Sequence, residues 1–166
     1  MGLAVRPRRG GLGVGVWRCV VAAVLVHAGA VPAGATGTLN CSIDDKAIAF
    51  EAEAVFSHGL AASFSNFRAE LNARGKDTPP TFARVEMDGA ALAHHWFHGD
   101  ELRLHLYHER AEAPFGSLEL VLRTRSRGED EAAFAGRYEL KLFLAGVDGG
   151  KAFERTYRGR ATCSAG

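Results

Sequence analysis

The sequence predicts an all-β protein, a single antiparallel β-barrel or β-sandwich of about eight strands that follows a cleaved signal peptide. Three features of the chain support this prediction. A short apolar segment lies near the N-terminus, apolar and polar side chains alternate along several later stretches, and two cysteines lie near the two ends of what remains after cleavage.

The N-terminal segment has the three parts of a secretory signal peptide. Four arginines and no acidic residue occupy positions 1–18, and the apolar run CVVAAVLVHAGAV follows at positions 19–31. This run of about 13 residues is shorter than the ~20 that a membrane-spanning helix needs. Ala33, Gly34 and Ala35 then form a small-residue cleavage pattern.

Cleavage at this pattern would divide the chain in two. We expect residues 1–35 to be removed as the signal peptide and residues 36–166 to form a single β domain. The mature chain would then contain no transmembrane segment. Its expected location is the periplasm or the extracellular space.

Removal of the leader changes the charge of the protein. The whole chain has 20 basic and 19 acidic residues and a net charge of +1; without the four leader arginines, 16 basic residues remain and the net charge is −3. The sequence of the mature domain contains no basic stripe. We therefore expect neither nucleic acid nor an anionic membrane as a partner.

Cys41 and Cys163 are the two cysteines that remain when the leader, which contains Cys19, is removed. Export would place them in an oxidising compartment, where a cysteine pair normally forms a disulfide. That bridge would close a loop across nearly the whole domain and contribute roughly 4–5 kcal/mol on the chain-entropy account. Two buried free thiols are the alternative.

Alternation of apolar and polar residues marks six segments as half-buried strands. Their apolar faces comprise Leu39, Cys41 and Ile43; Ile48, Phe50, Ala52, Ala54 and Phe56; Leu102, Leu104 and Leu106; Leu118, Leu120 and Leu122; Tyr138, Leu140, Leu142 and Leu144; and Phe153, Tyr157, Ala161 and Cys163. Turn-forming sequences separate the segments. A disulfide between the first and last strands suits a closed barrel, although a sandwich can also have one.

Residues 60–71 fit two patterns. Leu60, Phe64, Phe67 and Leu71 have helical spacing, whereas Phe67, Ala69 and Leu71 alternate with charged residues as in a strand. We favour the strand, because the alternating residues follow a turn sequence directly.

Five of the six histidines downstream of the leader fall in one stretch: His94, His95, His98, His105 and His108. What they can bind depends on strand register, because a slip of one residue moves every side chain to the other face. The Asp88-Gly89 pair predicts a tight hairpin turn before this stretch, and such a turn pairs Val85 with Leu92.

This register predicts two binding hypotheses. His94, Trp96 and His108 are expected to point inward, where they would line a site for a small apolar ligand. A packed core histidine beside a tryptophan is the alternative.

The second hypothesis concerns the outer surface. His95 is expected to face His105 there, and with His98 the pair would hold a transition metal such as zinc or copper. Two exposed surface histidines are the alternative. The sequence implies no other cofactor.

Motifs of catalysis are absent from the sequence. No G-x-S-x-G, C-x-x-C or H-E-x-x-H pattern occurs, and oxidation of both mature cysteines would leave no thiolate nucleophile. Arg155, Arg158 and Arg160 are expected to be cross-strand ion partners rather than an anion site. Arg123 and Arg125 are expected to form a similar mixed-charge outer face with Glu139 and Lys141.

These features predict a non-enzymatic exported β-domain that binds a small apolar ligand or an envelope protein partner. The alternative is a metal-binding exported protein that uses the hairpin at residues 94–108. An enzyme with an unrecognised site is the third interpretation.

Overall fold

The structure is a computed structural model that describes Gly2 and residues 36–57, 63–128, 130–146 and 150–166. The strands belong to the unit Gly34–Gly166. Apart from Gly2, the predicted signal peptide lies outside the described residues. No described residue belongs to a helix that is long and apolar enough to cross a membrane.

Most of the described residues lie in β-strands and none lies in an α-helix, which confirms the all-β prediction. The strands are β1 (Thr36–Asp44), β2 (Ile48–Ser57), β3 (Phe64–Ala73), β4 (Val85–Asp88), β5 (Leu92–His98), β6 (Glu101–Arg110), β7 (Gly116–Arg127), β8 (Asp130–Leu144) and β9 (Phe153–Ala165). Two 3-10 turns, Pro80–Phe82 and Gly89–Ala91, precede and follow β4. The ambiguous segment around Phe67 is a strand, as predicted from its alternation.

A single antiparallel sheet contains all of these strands, in the order β4-β3-β2-β1-β9-β8-β7-β6-β5. Because each neighbour is antiparallel to the next, β4 and β5 at the two edges run in the same direction. The chain passes from one to the other through the 3-10 turn Gly89–Ala91. β4 and β5 therefore act as one kinked strand that pairs first with β3 and then with β6, which nearly closes the sheet into a barrel.

The predicted hairpin at Asp88-Gly89 is wrong. The carboxylate of Asp88 accepts a hydrogen bond from the Ala90 amide at 2.9 Å, which starts the 3-10 turn. Val85 pairs with Leu71 of β3 rather than with Leu92. An Asp-Gly pair favours any turn in which aspartate caps a following amide, and here that turn carries the chain forward instead of reversing it.

Large apolar side chains from all sides fill the interior of the barrel. Leu104 and Leu106 of β6, Leu120 of β7 and Leu140 of β8 are at most 1% exposed. The inward faces of β1, β2, β7 and β8 agree with the predicted alternation. Cys41 and Cys163 lie directly opposite each other in β1 and β9 and form the predicted disulfide.

A second link joins the turn after β1 to β8. The Tyr138 hydroxyl donates to Asp45 Oδ2 at 2.6 Å, while Asp45 Oδ1 accepts from the amides of Ala47 and Ile48. Burial alone would raise the pKa of Asp45, but these hydrogen bonds outweigh it and lower that pKa. A Cβ on Gly159 would lie 2.6 Å from both Asp45 Oδ2 and Tyr138 Cε1, so this contact requires glycine in β9.

Candidate functional site

The register of β5 differs from the prediction. A bulge lies between Leu92 and His94, so that His94 faces His105 and Trp96 faces Arg103. His94 and Trp96 are exposed, Trp96 to 48%, and His95 is half-buried. The predicted inward direction of His94 and Trp96 and the predicted pairing of His95 with His105 are therefore wrong. They rested on a hairpin turn before β5, and the structure has a forward-running turn and a bulge there instead.

The half-buried residues of β5 pack against aromatic rings. His95 stacks on Phe64 with ring centroids 4.5 Å apart, and Phe97 meets Phe56 edge-on at 5.3 Å. Phe64 begins β3 and pairs with Phe56 at the end of β2. In the described residues neither of these strands is hydrogen-bonded to β5, so the rings make the contact between them. Their position favours a packing role for His95.

The three residues of the predicted apolar ligand site are not brought together. His94 and Trp96 lie on the outer surface of β5, whereas His108 is half-buried near the far end of β6. There His108 lines a small cleft of about 210 Å³ together with Phe82 and Arg110.

The predicted metal ligands do not converge either. In the described parts of the chain, no three His, Cys, Asp or Glu side chains lie close enough to hold a metal ion. His105 Nε2 instead lies 3.0 Å from Glu119 Oε1, and Lys141 donates to the other oxygen of Glu119 at 3.1 Å. The ring of His98 lies edge-on to Trp96.

Four arginines form a row across the outer face of the barrel. Arg103 of β6 lies opposite Arg123 of β7, Arg123 opposite Arg137 of β8, and Arg137 opposite Arg160 of β9. All four are exposed. Neighbouring strands are about 4.8 Å apart, so the row spans roughly 14 Å. Like charges directly opposite each other destabilise a sheet, and this arrangement therefore needs an explanation.

Three members of the arginine row have no carboxylate partner among the described residues. Arg103 donates to Glu101 at 2.6 Å, whereas the salt bridges of the described chain include none to Arg123, Arg137 or Arg160. Hydrogen bonding to Arg158 is the main cause that lowers the pKa of Glu139, and the charge of Arg123, beyond salt-bridge distance, adds a smaller effect. These guanidinium groups are therefore available to an external anion.

Of the three arginines predicted as cross-strand ion partners, Arg158 contacts Glu139 of β8 at 2.7 Å, as predicted. For Arg155 and Arg160 the prediction is wrong, because Arg155 lies 3.9 Å from Asp77 in the loop after β3 and Arg160 lies opposite Arg137. On the predicted mixed-charge face, Arg125 contacts Glu101 of β6 at 2.6 Å, whereas Arg123 lies between two other arginines. The expectation that the domain has no basic stripe is also wrong, since the stripe runs across four strands and is invisible along the sequence.

The carboxylates beside the arginine row are already engaged. Hydrogen bonding to Arg103 is the main cause that lowers the pKa of Glu101, and hydrogen bonding to Arg158 does the same for Glu139. Lys141 is the main cause for Glu119. All three groups are therefore anionic at neutral pH and lie on the two sides of the row.

The row lies along a shallow groove of about 750 Å³. Small residues, Ala135, Gly136 and Gly159, contribute to its lining. A Cβ at Gly136 would lie 1.9 Å from the carbonyl oxygen of Arg123, so glycine allows β7 and β8 to approach closely at this point. Trp96, opposite Arg103, continues the row on β5.

A second groove, of about 1130 Å³, is lined by residues of β9, β1, β2, β3 and β4 and also by His108 at the far end of β6. It contains an acidic row in which Glu51, Glu70 and Glu86 lie opposite one another on β2, β3 and β4. Arg84 contacts Glu70 at 2.8 Å and Glu86 at 2.9 Å. Two of the three glutamates therefore share one counter-charge, and Glu51 has no salt bridge in the described chain.

The arginine row could have been found from the sequence only with the correct register. The alternation of apolar and polar residues already places Arg103, Arg123 and Arg137 on outward faces. It does not show which of these arginines lie opposite one another on neighbouring strands. Comparison of the chain with protein-family models, curated proteins and solved structures found no match in any of the three.

Proposed function

We propose that this protein is an exported, non-enzymatic binding domain that holds an anionic partner on its arginine row. The observation that carries the proposal is the set of three in-register arginines, Arg123, Arg137 and Arg160, without a carboxylate partner in the described chain. An anion bound there would remove the repulsion between neighbouring guanidinium groups. The repulsion within the free protein thus becomes part of the binding energy.

Guanidinium groups suit this role. Each is planar, permanently charged and able to donate two parallel hydrogen bonds to a phosphate, sulfate or carboxylate. Their spacing is set by the hydrogen-bonded strands, so little conformational freedom of the backbone is lost on binding. The row therefore acts as a preorganised anion-binding surface.

The earlier hypothesis of an apolar ligand inside the barrel has less support. Interior positions of β6, β7 and β8 are filled by buried leucines, and Trp96 and His94 lie outside. An envelope protein partner stays compatible with the proposal if it presents an acidic face to the arginine row.

Export is supported by the order of charged, apolar and small residues within positions 1–35 and by the Cys41–Cys163 disulfide. Mass spectrometry of protein recovered outside the cytoplasm should give the mass of residues 36–166, within a few residues at the N-terminus. Recovery of the whole chain from the cytoplasm would contradict the export part of the proposal.

The binding part is tested with long-chain polyphosphate, an anionic polymer without other chemistry. Reversing two charges in Arg123→Glu/Arg137→Glu should weaken its binding at least about thirtyfold, because two charged hydrogen-bonding sites are lost. Lys76→Glu/Lys151→Glu is the matched control, since both lysines are exposed in loops away from the row and the net charge changes equally. Equal losses in the two variants, or no binding by the unaltered protein, would refute the proposal.

A further inference from the structure

We infer that the anionic partner is a linear polysaccharide that carries sulfate or phosphate groups, with a sugar ring packed on Trp96 and its charges on the arginine row. This inference rests on the proposed function and adds the chemical class of the ligand. Its basis is the juxtaposition of one exposed tryptophan with four aligned arginines on a single outer face.

Trp96 is placed to contact a ligand that lies along the row. It faces Arg103 directly across β5 and β6, on the same side of the sheet, and 48% of it is exposed. An exposed indole has a large apolar surface and gains stability when another apolar surface covers it. The C–H face of a sugar ring is such a surface, and a sugar polymer can present it beside charged substituents.

The carboxylates beside the row favour a single chain over a flat anionic surface. Glu101 lies on one side of the row, and Glu139 and Glu119 lie on the other. Arginine and lysine neighbours lower the pKa of each of these groups, so all are negatively charged at neutral pH. A bilayer of anionic lipid would bring phosphates over these carboxylates, whereas a narrow polymer can follow the arginines alone.

A single-stranded nucleic acid fits the surface less well. Proteins that bind single strands combine a basic groove with several aromatic side chains on which successive bases stack. Among the described residues, Trp96 is the one aromatic residue in line with the arginines, and the next four positions of the row are all arginine. A polymer that needs one ring contact and several anion contacts matches this pattern better.

The experiment compares two polymers and two variants by calorimetric titration at about 50 mM salt, where charge contacts are strong. The polymers are heparin oligosaccharides, which have sulfated sugar rings, and long-chain polyphosphate, which has charges but no rings. Trp96→Ala should weaken heparin binding about fivefold and change polyphosphate binding less than about twofold, as expected for the loss of one aromatic contact. Phe115→Ala is the control, because Phe115 is exposed to 47% but lies outside the row.

The outcomes separate the two proposals. If both polymers bind and Trp96→Ala weakens neither, or weakens both equally, the polysaccharide inference is wrong and the arginine row keeps its proposed function. Tighter binding of single-stranded oligo(dT) or of anionic phospholipid vesicles than of heparin would also overturn the inference. If the unaltered protein does not bind polyphosphate, the proposed function itself is wrong.

Discussion

The arginine row and the acidic row are built in the same way but are balanced differently. Each places like charges opposite one another on adjacent strands of one sheet, at positions where such contacts are unfavourable. In the acidic row, Arg84 lies within 2.9 Å of both Glu70 and Glu86. In the arginine row, Arg123, Arg137 and Arg160 have no such counter-charge in the described chain.

This difference separates a structural surface from a candidate binding surface. A row that its own neighbours partly neutralise gains less from an outside ion. A row left unbalanced costs stability in the free protein and recovers it when an opposite charge binds.

The disulfide joins the two charged regions, because β1 lies beside the acidic strands and β9 ends the arginine row. Replacing both cysteines in Cys41→Ala/Cys163→Ala should lower the free energy of unfolding by about 4 kcal/mol, since the bridge closes a loop with a sequence separation of 122 residues. Urea unfolding measured by circular dichroism checks this. An unchanged free energy of unfolding would mean that the bridge does not constrain the unfolded chain.

The hydrogen bond between Tyr138 and Asp45 is the second link between the regions. Tyr138→Phe should cost about 2 kcal/mol, because a charged acceptor loses its donor. The same urea titration measures the cost. A loss as small as that of an exposed surface substitution would show that water replaces the hydroxyl in this contact.

Lowering the pH should weaken the same contact and reduce the stability of the protein. The pKa of Asp45 in the folded protein is lower than its ordinary value of 3.8, so the stability it contributes is present above that pH. It is lost as the pH falls through the lowered folded pKa. Stability measured between pH 5 and pH 2 should therefore fall less steeply in Tyr138→Phe than in the unaltered protein, and parallel curves would contradict the assignment.

Single neutralising substitutions should have opposite signs in the two rows. Arg137→Gln removes repulsion from two facing arginines and should stabilise the protein by roughly 0.5 kcal/mol. Arg84→Gln removes the counter-charge of Glu70 and Glu86 and should destabilise it by a similar, roughly 0.5 kcal/mol. Thermal unfolding at low and high salt measures both; the difference should shrink at high salt, where exposed charges are screened. Equal signs would mean that the two rows do not differ.

The sequence alone predicted most of the fold. Alternation identified the inward leucines of β6 and β7, and the positions of Cys41 and Cys163 predicted the bridge between the first and last strands. The exception was the chain from β4 to β5. Asp88-Gly89 has the composition of a hairpin turn, yet the chain runs forward there, because β4 pairs with β3 and β5 pairs with β6 rather than with each other.

That one difference accounts for the errors at the candidate site. The forward-running turn and the bulge before His94 reverse the faces of His94, His95 and Trp96 relative to a hairpin. The alternation of side chains within one strand is a local property and can be recognised in the sequence. The register between two strands depends on the turns and bulges that connect them, and these cannot be predicted from composition. The arginine row is a property of register, so no reading along the chain could reveal it.

The most direct test of the anion-binding surface is an NMR titration that follows the Nε–H signals of the arginine side chains while polyphosphate is added. The signals of Arg123, Arg137 and Arg160 should shift first and together. Those of Arg74 and Arg84, which already contact Asp44, Glu70 and Glu86, should hardly move. Shifts that are uniform over all arginines, or that begin at Arg84, would contradict it.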